Sequence, residues 1–242
     1  MERRNIEIMA PVGSYESLMA AIQGGAGSVY FGVEHLNMRS RSANNFSLDD
    51  LRKIVEIATS NGVKTYLTLN VEIFDNETDQ MHAVLDAAKK AGVSAVIAAD
   101  ISVIMHARSI GLEVHISTQV NITNFEAVKF YAQFADVVVL AREMNLGRVW
   151  EISNQIKTQQ IKGPSGTLVR LEMFVHGALC MAISGKCYLS LHEMNSSANR
   201  GACLQTCRRA YTVTDKETGA ELEIDNEYIM SPKDLKTIHF LN

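Results

Sequence analysis

Thr65-Tyr66-Leu67-Thr68-Leu69 opens the stretch on which the fold turns, and Ala95-Val96-Ile97-Ala98 closes it. Both runs are short and apolar on both faces, as strands buried in a parallel sheet are. Between them Met81, Val84, Leu85 and Ala88 recur at helical spacing, so one face of a helix is apolar. Gly92 stands where that helix must end, because glycine alone adopts the left-handed backbone of a helix C-terminus without steric cost. Strand, helix, small residue, strand is one βαβ unit.

The same pattern extends in both directions. Ile6–Ala10 and Ser28–Phe31 precede it as strand-like runs, and Val114–Ser117 and Val137–Leu140 follow. Leu48, Leu51, Ile54, Val55 and Ala58 form another helical face. Ser14, Ser47 and Asn124 read as N-caps, while Gly62 and Gly111 repeat the role of Gly92. A seventh strand is expected at Leu168–Phe174, after a loop spanning Lys157–Thr167. Repetition of this kind predicts an α/β fold, a TIM-like (β/α) barrel, and not an open doubly wound sheet.

The texture changes near residue 176. Residues 1–176 are read as the barrel units, 177–210 as a Cys-rich segment and 211–242 as a β-hairpin followed by the start of a last barrel helix. The hairpin is Tyr211–Val213 and Glu221–Ile224 around Asp215-Lys-Glu-Thr-Gly219, and the helix is expected from Ser231-Pro232. No eighth strand remains, so the barrel is expected to be incomplete at its C-terminus, or else seven-stranded with a gap.

With 47% hydrophobic residues and three prolines in 242 positions, a disordered or collagen-like chain is excluded. No signal-peptide or membrane-length apolar run is visible, which leads to the expectation of a cytoplasmic protein. The net charge of −4 gives no global nucleic-acid signal. Between Gly177 and Thr214, however, Lys186, Arg200, Arg208 and Arg209 face only Glu193. That local excess suits phosphates, a solvated loop or the counter-charge of an anionic cluster.

All the cysteines of the chain, Cys180, Cys187, Cys203 and Cys207, lie in this segment. In a reducing compartment such clustering points to metal ligation before disulfides. Four thiolates suit either a tetrahedral zinc or an iron–sulfur cluster, and buried inert cysteines are the plainer reading. Only Cys203 and Cys207 have the tight spacing of a zinc knuckle; the wider first pair suits the larger cluster.

Glu172-x-Phe174-x-x-Gly177-Ala178-Leu179-Cys180, Ser184-Gly185-x-Cys187-x-Leu189-Ser190 and Asn199-Arg200-Gly201-x-Cys203-x-x-x-Cys207-Arg208 resemble the signature of the collagenase-like U-thirty-two peptidase family. Ala10-Pro11-x-Gly13-Ser14, Val29-Tyr30-Phe31-Gly32, Ser117-Thr118-Gln119 and Leu140-Ala141-Arg142-Glu143 agree with it, so the resemblance covers nearly the whole chain. Its members include tRNA and rRNA hydroxylation proteins and proteins of ubiquinone synthesis. The resemblance implies a [4Fe–4S] cluster on Cys180, Cys187, Cys203 and Cys207, a small carboxylate cosubstrate such as prephenate, and tRNA or rRNA as the modified partner.

In a parallel barrel the active site lies at the C-terminal ends of the strands. Those ends carry Pro11, Gly13 and Ser14, then Gly32 with Asn37, Arg39 and Arg41 in the loop beyond it. Asn70, Asp100, Gln119, Asn121, Arg142, Glu143, Glu172 and His176 complete the set. From these, Arg142, Glu143, Glu172 and His176 are the candidate catalytic residues, and Arg39, Asn70, Gln119 and Arg142 the candidate substrate ligands. Arg142 ends an apolar run, where a planar guanidinium either grips a carboxylate or phosphate or pairs with Glu143. His176 suits proton transfer or a structural role. Protease chemistry finds little support: His192-Glu193 lacks the second histidine of a zinc-protease helix, and no Gly-x-Ser-x-Gly elbow occurs. The alternatives to RNA hydroxylation are a collagenase-like peptidase and a binding module stabilised by zinc.

Overall fold

The computed structural model describes residues 6–34, 36–38, 46–224 and 231–237. Seven strands alternate with helices along the chain: β1 Met9–Pro11, α1 Tyr15–Gln23, β2 Ser28–Gly32, α2 Asp50–Ser60, β3 Lys64–Leu69, α3 Thr78–Ala91 and β4 Ala95–Ala98. Then come α4 Ile101–Ser109, β5 Glu113–Ile116, α5 Phe125–Tyr131, β6 Val137–Val139, α6 Leu146–Thr158 and β7 Arg170–Glu172. The strands pair in parallel and in sequence order, from β1 to β7.

Side chains alternate along each strand, which sorts the core into two parts. Val29 and Phe31, Leu67 and Leu69, Val96 and Ala98, Val114 and Ile116, and Val138 pack outward with Leu51, Ile54, Leu85 and Ile104 of the helices. Burying each of the larger of these side chains stabilises the fold by roughly 1.5–3 kcal/mol. The opposite positions, Tyr66, Ala95 and Ile97, form a smaller inner cluster with Met9 and Tyr30.

The sheet curls about that inner face. Backbones two strands apart in a flat sheet are separated by about 9.6 Å, yet the Tyr66 and His115 rings of β3 and β5 lie 4.5 Å apart between centroids. Arg170 of β7 reaches Glu113 of β5 at 2.5 Å, and the Glu7 carboxylate accepts from the Tyr66 hydroxyl at 2.6 Å and from Lys64 at 2.7 Å. These contacts fill the floor of the half-barrel with charges that satisfy one another. Burial pushes the Glu7 carboxyl up, but the hydrogen bonds from Lys64 and Tyr66 outweigh it and bring it down to about 2.

The caps expected at Ser14 and Asn124 are present, each accepting from a first-turn amide. Gly62, Gly92 and Gly111 all hold left-handed backbone just past their helices. Ser47 is a correction: α2 starts from Asp49, and the Ser47 amide and hydroxyl bond the Asp50 carboxylate instead.

Beyond β7 the chain leaves the sheet. β8 His176–Gly177 is followed by α7 Leu189–Met194, and β9 Tyr211–Thr214 pairs antiparallel with β10 Glu221–Ile224 in the expected hairpin. Over the described residues 231–237 the helix expected from Ser231 is absent. Instead β11 Leu235–Lys236 pairs antiparallel with β8, and the Thr237 amide donates to Val175. A local proline signal yields there to backbone pairing with a distant strand.

Candidate active site and cysteine segment

The C-terminal ends of the strands enclose a cavity of about 190 Å³, lined by Pro11, Gly32, Asn37, Thr68, Asn70, Ser117, Gln119, Arg142, Glu172 and Phe174 among others. Gly32 is required by close approach: a Cβ there would stand 2.5 Å from the buried Asn37 amide. Asn37 in turn donates to the Glu34 carbonyl, so the turn after β2 folds over the barrel mouth.

Two amides form one wall. Asn70 Oδ1 accepts from the Met38 amide at 3.2 Å, and its Nδ2 donates to Gln119 Oε1 at 3.3 Å. The Ser117 hydroxyl also donates to Gln119 Oε1. Both oxygens are therefore occupied, while Gln119 Nε2 has no hydrogen-bond partner among the described residues and adjoins the cavity. At the end of the neighbouring strand β6 the Arg142 guanidinium lies over the Phe174 ring, 4.7 Å from its centroid, a cation–π contact that holds the fork in one plane.

Glu172 is the most perturbed acid of the cavity. Part of its surface stays open to the space, but burial pushes its carboxyl up to about 7, and the charge of Glu7 on the floor adds to the rise. A carboxyl of that kind exchanges a proton near neutral pH, which suits general acid–base work.

Asn70, Gln119, Arg142 and Glu172 thus share one cavity. Glu143, next to Arg142, is exposed and outside the lining. His176 is also exposed, on the β8–β11 ladder, and does not reach the cavity. Asp100 caps α4 and accepts from the Ser102 and Ile73 amides, a structural role. Arg39 and Arg41 lie outside the described residues. Phe174 and Ser117 belong to the signature blocks and Thr68 to a strand run, but none of the three is a candidate site residue by sequence; all three line the cavity.

The cysteine segment lies against this mouth at two places. On the β5 side, Asn121 Nδ2 donates to the Ser184 carbonyl at 2.6 Å, and Gly185 packs on Gln119. On the β3 side, Arg200 bonds both carboxylate oxygens of Glu77, donates to the Glu72 carbonyl and lies 3.7 Å above the Phe74 ring. Inside the segment, the Cys187 amide donates to Asn199 at 3.0 Å, linking the first cysteine pair to the second. Two of the four basic residues are consumed in these contacts, Arg200 by Glu77 and Arg208 by Asp234, so Lys186 and Arg209 are left exposed.

All four cysteines are free thiols. Burial raises the Cys207 thiol, and the charges of Cys180 and Cys203 raise it further; Arg208 opposes them and Cys187 adds to them. The other three cysteines therefore lie in the surroundings of Cys207. Among the described residues no three ligand-type side chains converge closely enough to hold an ion as the loops stand. The donor set itself, four thiolates in loops that turn at Gly177, Gly185 and Gly201 with positive φ, fits a zinc or an iron–sulfur cluster.

Comparison with known proteins agrees on the family. The profile of peptidase family U32 matches residues 13–242. A collagenase of Porphyromonas gingivalis is 64% identical over 242 residues, which is 100% of this chain and 58% of that protein. The tRNA hydroxylation protein P1 of Bacillus subtilis is 36% identical, covering 96% of this chain and 54% of that one. The 23S rRNA 5-hydroxycytidine C2501 synthase of Escherichia coli is 34% identical, covering 88% and 30%. The chain thus spans little more than half the length of the first two of these relatives, and less of the third. A solved U32 peptidase structure superposes with a TM-score of 0.55 at 16% identity, covering 71% of this chain and 69% of that one, which supports the fold alone.

Proposed function

The chain belongs to peptidase family U32, and from that membership we propose that it is an iron–sulfur-dependent RNA hydroxylation enzyme or subunit using a small carboxylate cosubstrate such as prephenate. Relatives named for tRNA and rRNA hydroxylation support the RNA partner, and with it a cytoplasmic place of work. The observation that carries the reading is the cavity that sets Arg142 and Glu172 beside a segment bearing four thiols.

Cys180, Cys187, Cys203 and Cys207 would hold the [4Fe–4S] cluster, which when bound would supply one-electron redox chemistry. The remaining roles belong to the cavity. Arg142 would set its guanidinium against a carboxylate, with Phe174 fixing the plane of the fork. Gln119 Nε2 donates to a second oxygen of the cosubstrate. Glu172 holds a proton near neutral pH and passes it to, or accepts it from, an oxygen in the cavity.

A collagenase-like peptidase is the second reading, favoured by the P. gingivalis relative. Against it, among the described residues no hydroxyl or thiol is hydrogen-bonded to a histidine ring: His106 bonds Asp86 and His115 bonds Glu113. A serine or cysteine nucleophile activated by histidine would need such a pairing. The zinc-stabilised module is the third reading, and metal analysis separates it from the first.

The test is nucleoside mass spectrometry on cells lacking the gene, complemented with wild type or Arg142→Ala. Hydroxylated pyrimidine nucleosides are expected with wild type and to fall about tenfold or more with the variant, the loss of a charge-assisted contact. Unchanged nucleosides, together with gelatin cleavage by the purified protein, would overturn the proposal in favour of the peptidase.

A further inference from the structure

Gln119 touches both halves of the site. Its side-chain amide lines the cavity, bonded to Asn70 and Ser117. Its backbone carbonyl faces the other way, accepting from Asn121 Nδ2 at 3.0 Å and meeting Gly185 of the cysteine segment. Gly185 has a φ of +72°, and a Cβ there would stand 3.0 Å from that carbonyl and 3.1 Å from Gln119 Cβ. Only glycine allows the segment to lie so close.

Asn121 completes the joint. It holds a left-handed backbone, φ 58°, uncommon for a residue other than glycine, and from there its one amide group reaches both Gln119 and Ser184. Its position at the end of the short turn Thr118–Val120 ties that turn to the loop between Cys180 and Cys187. Arg200 fastens the far side of the segment to a different connection and touches neither Gln119 nor the cavity.

We propose that Asn121 and Gly185 are positioning residues that dock the Cys180–Cys187 loop on Gln119, so that metal binding at the cysteines and the order of the cavity wall are coupled. The proposal rests on the reading of the four cysteines as metal ligands. A loop drawn into place by a metal presses Gly185 and Ser184 onto the Gln119 carbonyl and the Asn121 amide. That pressure holds Gln119 Oε1 against Asn70 and Ser117. Coupling free energies are reciprocal, so a ligand that orders Gln119 tightens the metal site in turn.

Cobalt(II), added to the metal-free protein without oxygen, is the probe. Its thiolate absorption reports occupancy of the cysteines, and hydrogen exchange of the amides of residues 117–121 reports the cavity wall. In wild type, saturation with cobalt is expected to slow that exchange about five-fold or more, the lower end of ordinary coupling. Asn121→Ala and Gly185→Ala are expected to keep the thiolate band while the slowing drops below about two-fold. Arg200→Ala should keep both. If the wild type shows the band with no change in exchange, or Asn121→Ala retains full protection, the coupling is wrong and the metal site stands. If cobalt gives no thiolate band at all, the four-cysteine reading fails and the coupling falls with it.

Discussion

Between Lys64 and Leu140 the buried side chains include Leu67, Leu69, Met81, Leu85, Ile104, Ile116 and Leu140, all fully enclosed. Between Gly177 and Ala210 they are Ser184, Ser190, Ser196, Ala198 and Thr206. The first region is stabilised by removing large apolar groups from water. The second buries almost nothing apolar and leaves Met181, Ile183, Tyr188, Leu191 and Met194 exposed. Its order comes from hydrogen bonds to Asn121, Glu77 and Asn199, and small units without a core ordinarily need a cross-link or a metal. The comparison teaches that four thiols belong to the region where hydrophobic stabilisation runs out.

If that division is right, Leu85→Ala should lower global stability by about 2–5 kcal/mol while leaving metal content per folded chain unchanged. Denaturant unfolding with parallel metal analysis checks both halves of the statement.

Glu172→Gln sharpens the contrast inside the barrel, between the mutually paired charges of the floor and the acid of the mouth. With its carboxyl raised from 4.5 to about 7, the folded protein retains a proton that the unfolded chain has lost across that interval. Stability therefore falls as pH rises through it, and the cost is complete above it, up to about 3 kcal/mol. The glutamine variant should be more stable than wild type at pH 8, with the difference vanishing toward pH 4. A variant less stable than wild type at pH 8 would mean that the carboxylate is paired.

Arg200→Ala tests the segment's fastening and carries the smallest expected effect on stability, about 1 kcal/mol or less for a partly exposed pair. Limited proteolysis between Cys180 and Cys207 should nevertheless accelerate, with the barrel left intact. Equal cleavage rates in both proteins would show that Glu77 and Phe74 do not hold the segment.

The outward faces of the strands and the helices were legible because their apolar periodicity is local: Leu51, Ile54 and Ala58 announce one helix face wherever it packs. The cavity was legible only in part. Asn70, Gln119, Arg142 and Glu172 follow strand ends, and a parallel barrel collects those. Glu143 and His176 satisfy the same rule in sequence, yet one is exposed beside Arg142 and the other is drawn into the β8–β11 ladder. The rise of the Glu172 carboxyl is a consequence of enclosure by seven strands, which no local stretch contains. Likewise the charge of Arg200 looked available until Glu77, distant in sequence, proved to be its partner. The strand at Leu235–Lys236 was hidden for the same reason: its partner, His176–Gly177, is far away, while the proline signal beside it is near.

The central claim is that Cys180, Cys187, Cys203 and Cys207 act together as ligands of one iron–sulfur cluster, and metal analysis of anaerobically purified protein tests it most directly. Iron, acid-labile sulfide and zinc should be measured on wild type and on the four single Cys→Ser variants in parallel. The account predicts roughly four iron and four sulfide per wild-type chain, a brown colour, and loss of most of the iron in every variant alike. One zinc and no sulfide in the wild type, or full iron in any two of the variants, would contradict it.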